Sequence, residues 1–356
     1  MHCMPRVLVL LASCISLGGC YVMHTARGQW GVMSKREPIP KVIASVATPP
    51  AVSTQLQRVL GMRDFAVREL GLPDNGSYRS YADVGRPFVV WNVFAAPEFS
   101  IEPRRWCFPI AGCIAYRGYF SEPKARKYAA QLERAGLDVY VGGVAAYSTL
   151  GHFDDPVLNT MIGWSDVQLA AIMFHELSHQ LLYVPGDSSF NESFASVVED
   201  EGVRRWLSAQ GREKDLESYR RYQRRYAQFA GLLIDTRRRL GELYRSGVPR
   251  AEMRQSKQAT FARLAEEHAR LKAEWGGRSE FDRWFASGIN NAHLVSVATY
   301  EECVPRIQAV LDATGGDLAE FYRRMRGIAQ LAPEARKERV CRLQASAESV
   351  NEHGSN

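Results

Sequence analysis

Cysteine pairs at metal-binding spacing are missing from this chain of 356 residues. Its seven cysteines never stand as CxxC, which argues against a cysteine-held metal. Charge of one sign is also in short supply. Lys and Arg number 45 against 39 Asp and Glu, and a net charge of +6 is too mild to mark a polyanion-binding protein. The Arg-rich stretch 204–254 reads as the solvated face of a helix, and no nucleic-acid partner is expected. No internal repeat is found, which excludes a solenoid. The one long apolar run, within residues 1–20, is too short to span a bilayer as a helix. Histidine is scarce, eight in all, so a pair at a meaningful spacing carries weight.

What is present is the composition of a folded protein: 46% hydrophobic and 24% charged residues. The N-terminus is a secretory signal, with one Arg before an apolar run that ends in small residues. Leu17-Gly18-Gly19-Cys20 matches the bacterial lipobox. Residues 1–19 are therefore expected to leave as a lipoprotein signal peptide. Cys20 is expected to carry diacylglycerol and palmitate, which tether the protein to a membrane facing the periplasm. Tyr21 is not the Asp associated with inner-membrane retention, so the outer membrane is preferred. Cys3 and Cys14 leave with the signal. Cys107, Cys113, Cys303 and Cys341 remain as disulfide candidates in an oxidising compartment. Cys107 with Cys113 and Cys303 with Cys341 is one pairing, and the sequence permits others.

The rest divides by pattern. Residues 20–50, polar and proline-dotted, read as a lipid-anchored tether. Residues 51–164 read as an α/β part: a helix over about 52–71, strands in PFVVWNVFAAP (87–97) and LDVYVGGVAAYS (137–148), and a short helix near 122–135. Helices that could bind zinc follow at 165–211. The first opens with a Ser165/Gln168 capping box and runs to about Tyr183, and the second spans about Phe190 to Leu207. A charged helical hairpin fills 212–275. Two further helices are expected at about 281–313 and 317–330 within 276–332, and 333–356 reads as a flexible tail. The fold class is α+β: a small N-terminal mixed sheet, then a predominantly helical part.

The chemistry centres on His175-Glu176-Leu177-Ser178-His179. Two histidines four residues apart lie about 40° apart around a helix, one turn up, so their imidazoles can meet one metal ion. Nitrogen donors of this kind suit one Zn²⁺. Glu176, beside the first ligand, can take a proton from an attacking water. A chance HExxH in this composition has a likelihood on the order of one per cent. A third ligand is needed, and Glu192 is the candidate. It would open the next helix, although Ser189-x-x-Glu192 is itself a capping box. Glu199 is the rival. It is more readily placed behind the ligands, orienting a His through its free ring N–H, with Asn191 in the same outer layer.

HELSH followed by NESFASVVE resembles the gluzincin pattern. The wider run FHELSHQLLYVPGDSSFNESFASVVEDEGVRRWL resembles the bacterial family of predicted lipoprotein aminopeptidases. The lipobox, WCFPIAGCIAYRGYF (106–120), AAYSTLGHFDDPVLNTMIGW (145–164) and NNAHLVSVATY (290–300) are similar to that family too. The resemblance implies a zinc-dependent peptidase acting on peptides, with His175, His179 and Glu192 as ligands and Glu176 as base. Gluzincin aminopeptidases also carry a Gly-x-Met-Glu-Asn strand that holds the substrate's amine. It is missing here, and VGGVAAYSTLG offers only a strand edge. Gluzincins use a downstream Tyr or His for the developing oxyanion. Candidates are Tyr147 and His293, ahead of His152 and Tyr300, with Asn290 and Asn291 as possible substrate contacts. The rival readings are a non-catalytic lipoprotein that binds peptide or envelope components, and a zinc hydrolase of a cell-wall cross-link.

Overall fold

The computed structural model describes residues 21, 23–108, 112–146, 148–286, 288–297 and 303–341. The signal, Cys20, Tyr147, Tyr300 and residues 342–356 lie outside the described residues. Helix takes 62% of the structure, set beside small sheets of two or three strands, an α+β fold.

The first element is a helix, α1 (residues 23–33). It leads into β1 (Arg36–Pro38), α2 (Ile39–Ala44) and α3 (Pro50–Arg68). Residues 36–44 were expected to be tether. Instead Val32 and Ile39 are buried and β1 pairs antiparallel with β2 (Ser80–Ala82). The prolines that suggested an extended linker in fact cap helices: Pro38 and Pro49 are N-cap residues, where a missing N–H costs nothing.

A second sheet is built from β3 (Val90–Pro97), β6 (Tyr116–Tyr119) and β7 (Leu137–Val144), in the order β6-β3-β7 and antiparallel throughout. Between them lie the β4 (Trp106–Phe108) and β5 (Gly112–Ile114) hairpin, closed by the Cys107–Cys113 disulfide, and α4 (Glu122–Arg134). Val93, Ala95 and Val139 bury one face of this sheet against Ala125, Ala129 and Leu132 of α4. The chain then passes through β8 (Val157–Leu158), parallel to β2, and the single turn of α5 (Asn159–Ile162).

The main core forms where α3 meets α6 (Asp166–Leu181) and α7 (Ser188–Ala209). α8 (Glu213–Arg245) and α9 (Arg250–Glu274) form the charged hairpin. Many of its arginines are paired, as in Arg238 with Glu242 and Arg239 with Glu267. The single helix expected over 281–313 is broken into α10 (Asp282–Ala286), α11 (Asn291–Val297) and α12 (Val304–Asp312). Gly288, at φ +77, turns the chain between the first two.

α13 (Leu318–Ala329) and α14 (Pro333–Val340) complete the fold. The expectation of a flexible tail from 333 fails as far as Cys341. Arg336 is buried and donates to Asp187 at 2.6 Å and to the carbonyls of Ala329 and Leu331. Cys341 is bonded to Cys303. The charge that read as solvation is half of a partly buried ion pair. Arg336→Ala is expected to cost about 2 kcal/mol, because it removes the bonds to Asp187, Ala329 and Leu331 together. The check is a lower denaturant midpoint at an unchanged slope.

Candidate metal centre

Helix α6 starts where the sequence said it would. Ser165 Oγ accepts from Gln168 N–H, and Gln168 Oε1 accepts from Ser165 N–H, so both halves of the capping box form. Leu169, Met173, Phe174 and Leu177 sink into the core. His175 and His179 consequently project together from the other side of the helix, their ring centroids 4.9 Å apart. The helix stops at Leu181, where Leu182 turns to extended backbone, two residues short of the expected Tyr183.

α7 is capped differently from the sequence reading. Its N-cap is Asp187, whose carboxylate accepts from Phe190 N–H at 3.1 Å. Ser189 lies inside the helix, so no Ser189/Glu192 capping box forms, and Glu192 sits in the second turn. Asp187 wins because its charge suits a helix N-terminus and Arg336 holds it in place. Asn191 does not back the histidines. It is buried and clamps the connecting loop, accepting from Val184 N–H and donating to Val184 C=O, both at 2.8 Å. Farther along α7, Gly202 lets the helices close up. A Cβ there would stand 2.8 Å from the Phe174 ring.

This crossing brings His175, His179 and Glu192 together, with one donor atom from each within 4.8 Å of the others. His175 Nε2 lies 3.3 Å from Glu192 Oε2 and 3.2 Å from His179 Nε2, and His179 Nε2 lies 3.7 Å from Glu192 Oε2. A tetrahedral Zn²⁺ with bonds of about 2.1 Å sets its ligands about 3.4 Å apart, so the triangle has the right size. Glu199 Oε2 stands 3.0 Å from His175 Nδ1. A carboxylate there holds the proton on Nδ1 and turns the lone pair of Nε2 toward the other two donors. His179 Nδ1 is buried without a hydrogen-bond partner among the described residues, so this ring gains through Nε2 alone. These residues fit a divalent cation.

The electrostatics agree. Burial opposes charge on Glu192, but hydrogen bonds from His175 and His179 and the charge on those rings hold its carboxyl down at about 2. Burial likewise opposes a proton on His175, yet Glu192 and Glu199 hold its pKa well above the usual histidine range. The pocket is built to hold positive charge.

Glu176 follows His175 on the same helix. Its charge, after burial, helps push the Tyr78 hydroxyl well up. Burial lifts Asp155 to about 6, with a smaller push from Glu176 and against the pull of the Thr149 N–H and hydroxyl bonds. Tyr78 is buried at φ +61, in the left-handed region, with its N–H on Asp155 C=O at 2.7 Å. Sequence reasoning missed it, since nothing in the chain pattern marks its approach to Glu176. It also missed Tyr183, 41% exposed, its ring edge-on to His179 at 6.3 Å. Here a signal existed: the helix expected to run to Tyr183 would have set it one turn past His179, although α6 in fact ends at Leu181.

Other candidates lie apart. Asn291 is fully buried, donating to the carbonyls of Pro97 and Glu98 and accepting from the Tyr244 hydroxyl. Asn290 donates to Val139 C=O on β7. His293 is 2% exposed, has its ring tilted against Tyr140 at 4.2 Å and shares its Nδ1 with Asn290, and burial pulls its pKa down to about 4. Asn290, Asn291 and His293 thus take part in the packing of α11 on the sheet. His152 is exposed in the loop that Asp155 organises.

A cavity of about 400 Å³ opens beside His175, between α7, α8 and α12. Glu199, Asp200, Tyr222, Gln223 and Tyr226 line it, giving two carboxylates and two tyrosine rings.

No individually curated protein and no solved structure matches the chain. One family model does, described as "Putative aminopeptidase", over residues 20–340. That span takes in every element from α1 to α14, with both crossing helices inside it, and the chain therefore belongs to this aminopeptidase family, with a peptidase-like function.

Proposed function

We propose that the protein is a zinc-dependent peptidase that cuts beside a free N-terminus while held on a membrane by lipid on Cys20. One observation carries the reading. Three donors from two crossing helices form a triangle sized for Zn²⁺, with a carboxylate next to the first of them.

Zinc bound by His175, His179 and Glu192 would supply Lewis acidity, lowering the pKa of a water and polarising the scissile carbonyl. Glu176 takes the proton from the attacking water and returns it to the leaving amine. Glu199 keeps the His175 ring oriented through Nδ1. Tyr183, half-exposed beside His179, is placed to donate to the carbonyl oxygen as charge develops there. An extended substrate pairs with the edge of β7 beyond Val139. The missing amine-binding strand motif is replaced by the cavity beside His175. With Glu199 held by His175, the cavity's Asp200 carboxylate and tyrosine faces favour a cation such as a peptide α-amine.

The test is metal analysis of the purified protein with a screen of matched peptides bearing free or acetylated N-termini. About one zinc per chain and turnover of the free peptides alone is expected. Equal turnover of both would make the enzyme an endopeptidase. Metal without turnover of either peptide would remove the peptidase reading.

A further inference from the structure

Helix α1 has two faces of opposite character. Its inner face, with Tyr21 just before it, is locked to the protein. The Tyr21 hydroxyl donates to Gly118 C=O at 2.9 Å, and the Arg117 guanidinium lies over the Tyr21 ring at 4.0 Å. Tyr21 also stacks on Phe108 at 5.4 Å. Gly28 packs so tightly on Phe120 that a Cβ would stand 2.1 Å from its ring. Val32 is buried in the main core.

Among the described residues the outer face has no such partners. Met23 is 63% exposed and Trp30 is 73% exposed. Arg27 stands between them, also exposed. Their i, i+4, i+7 spacing sets all three on one row. Exposed Lys35 follows the helix, and exposed Lys124 stands beside it, its Nζ 3.3 Å from His24 Nδ1. The face thus offers an aromatic ring and a thioether within a basic rim. Trp and Lys/Arg together suit the headgroup layer of an anionic bilayer.

We propose that this face of α1 lies in the membrane interface and sets the orientation of the enzyme on the lipid surface. The inference rests on the proposed lipid at Cys20. Cys20 directly precedes the pinned Tyr21, and three residues reach at most about 10 Å, so Met23 stands no farther than that from the anchor. That distance is comparable to the depth at which interfacial helices settle, about 5–10 Å. A single exposed Trp would need no explanation. Here it shares a row with Met23 on a helix fixed from behind, next to the anchor and among cations.

The experiment uses the full acylated protein in vesicles of equal parts phosphatidylethanolamine and phosphatidylglycerol, with brominated acyl chains. The emission of Trp30→Phe subtracted from wild type isolates Trp30 among the seven tryptophans. Most of this difference signal should be lost to the bromines, and what remains should be shielded from acrylamide. A Trp30 signal that bromines leave alone and acrylamide quenches overturns the proposal. Mass spectrometry separates the causes. Diacylglycerol on Cys20 with an exposed Trp30 sinks the interfacial helix and leaves the anchor standing. An unmodified Cys20 sinks the anchor and the inference with it.

Discussion

Glu176→Gln is expected to lower turnover by about 10³-fold while zinc content stays at the wild-type level. The side chain keeps its length and one acceptor oxygen but can no longer take a proton. Glu176 is not one of the three converging donors, so the metal site keeps all its ligands. Glu192 and Glu199 still hold His175. The two readouts must therefore separate: metal content unmoved, kcat collapsed. Binding should change little, so the loss falls on kcat rather than KM. Removing the charge also lightens the electrostatic burden on Asp155, which feels Glu176, so the variant should be no less stable than wild type. Wild-type turnover in the variant would remove Glu176 from the chemistry. A parallel loss of zinc would mean that it binds metal instead.

The histidine half of this site was legible because it is local. Ser165 and Gln168 announce the start of α6, and the i, i+4 spacing of His175 and His179 fixes their common side once a helix is granted. Glu192 was legible as a residue type at a plausible distance, but its place in α7 was misread. The cap that decides it, Asp187, is held by Arg336, 149 positions away, and no local pattern carries such a partner. The same reason explains the other misses. Nothing in the sequence marks the partners that Asn291 and His293 take from β3, β7 and α8. The segments before 45 and after 333 looked loose because their polar residues dominate. Yet Val32 and Ile39 at one end, and Arg336 with Cys341 at the other, fasten them to the core. Tyr78 went unnoticed because the chain turns left-handed at a position with no glycine to signal it. The α+β class itself needed none of this, since alternation and helical periodicity are properties of short windows.

Glu192→Ala is the sharper test of whether the carboxylate is a ligand or only part of the helix. Zinc affinity should fall by well over ~100-fold, more than the loss of an outer orienting carboxylate costs, and turnover should fall to background. Stability in the absence of metal should not fall in step. Asp187, not Glu192, caps α7, and the Gly202 contact with Phe174 that seats the helix is untouched. The metal-free variant does lose the pairing with His175 and His179 that holds the Glu192 carboxyl at about 2, so a small drop in its melt is expected from that alone. Zinc titration followed by thermal melting distinguishes the roles. A ligand that binds only the folded state stabilises it by about 2.7 kcal/mol at a hundred times its Kd. Wild type should therefore melt higher with zinc and lose that gain to a chelator, whereas Glu192→Ala should melt at one temperature in both conditions. If the variant instead melts low without metal yet still rises with zinc, Glu192 is structural, and the third ligand must be sought elsewhere, with Glu199 first in line because it already touches His175.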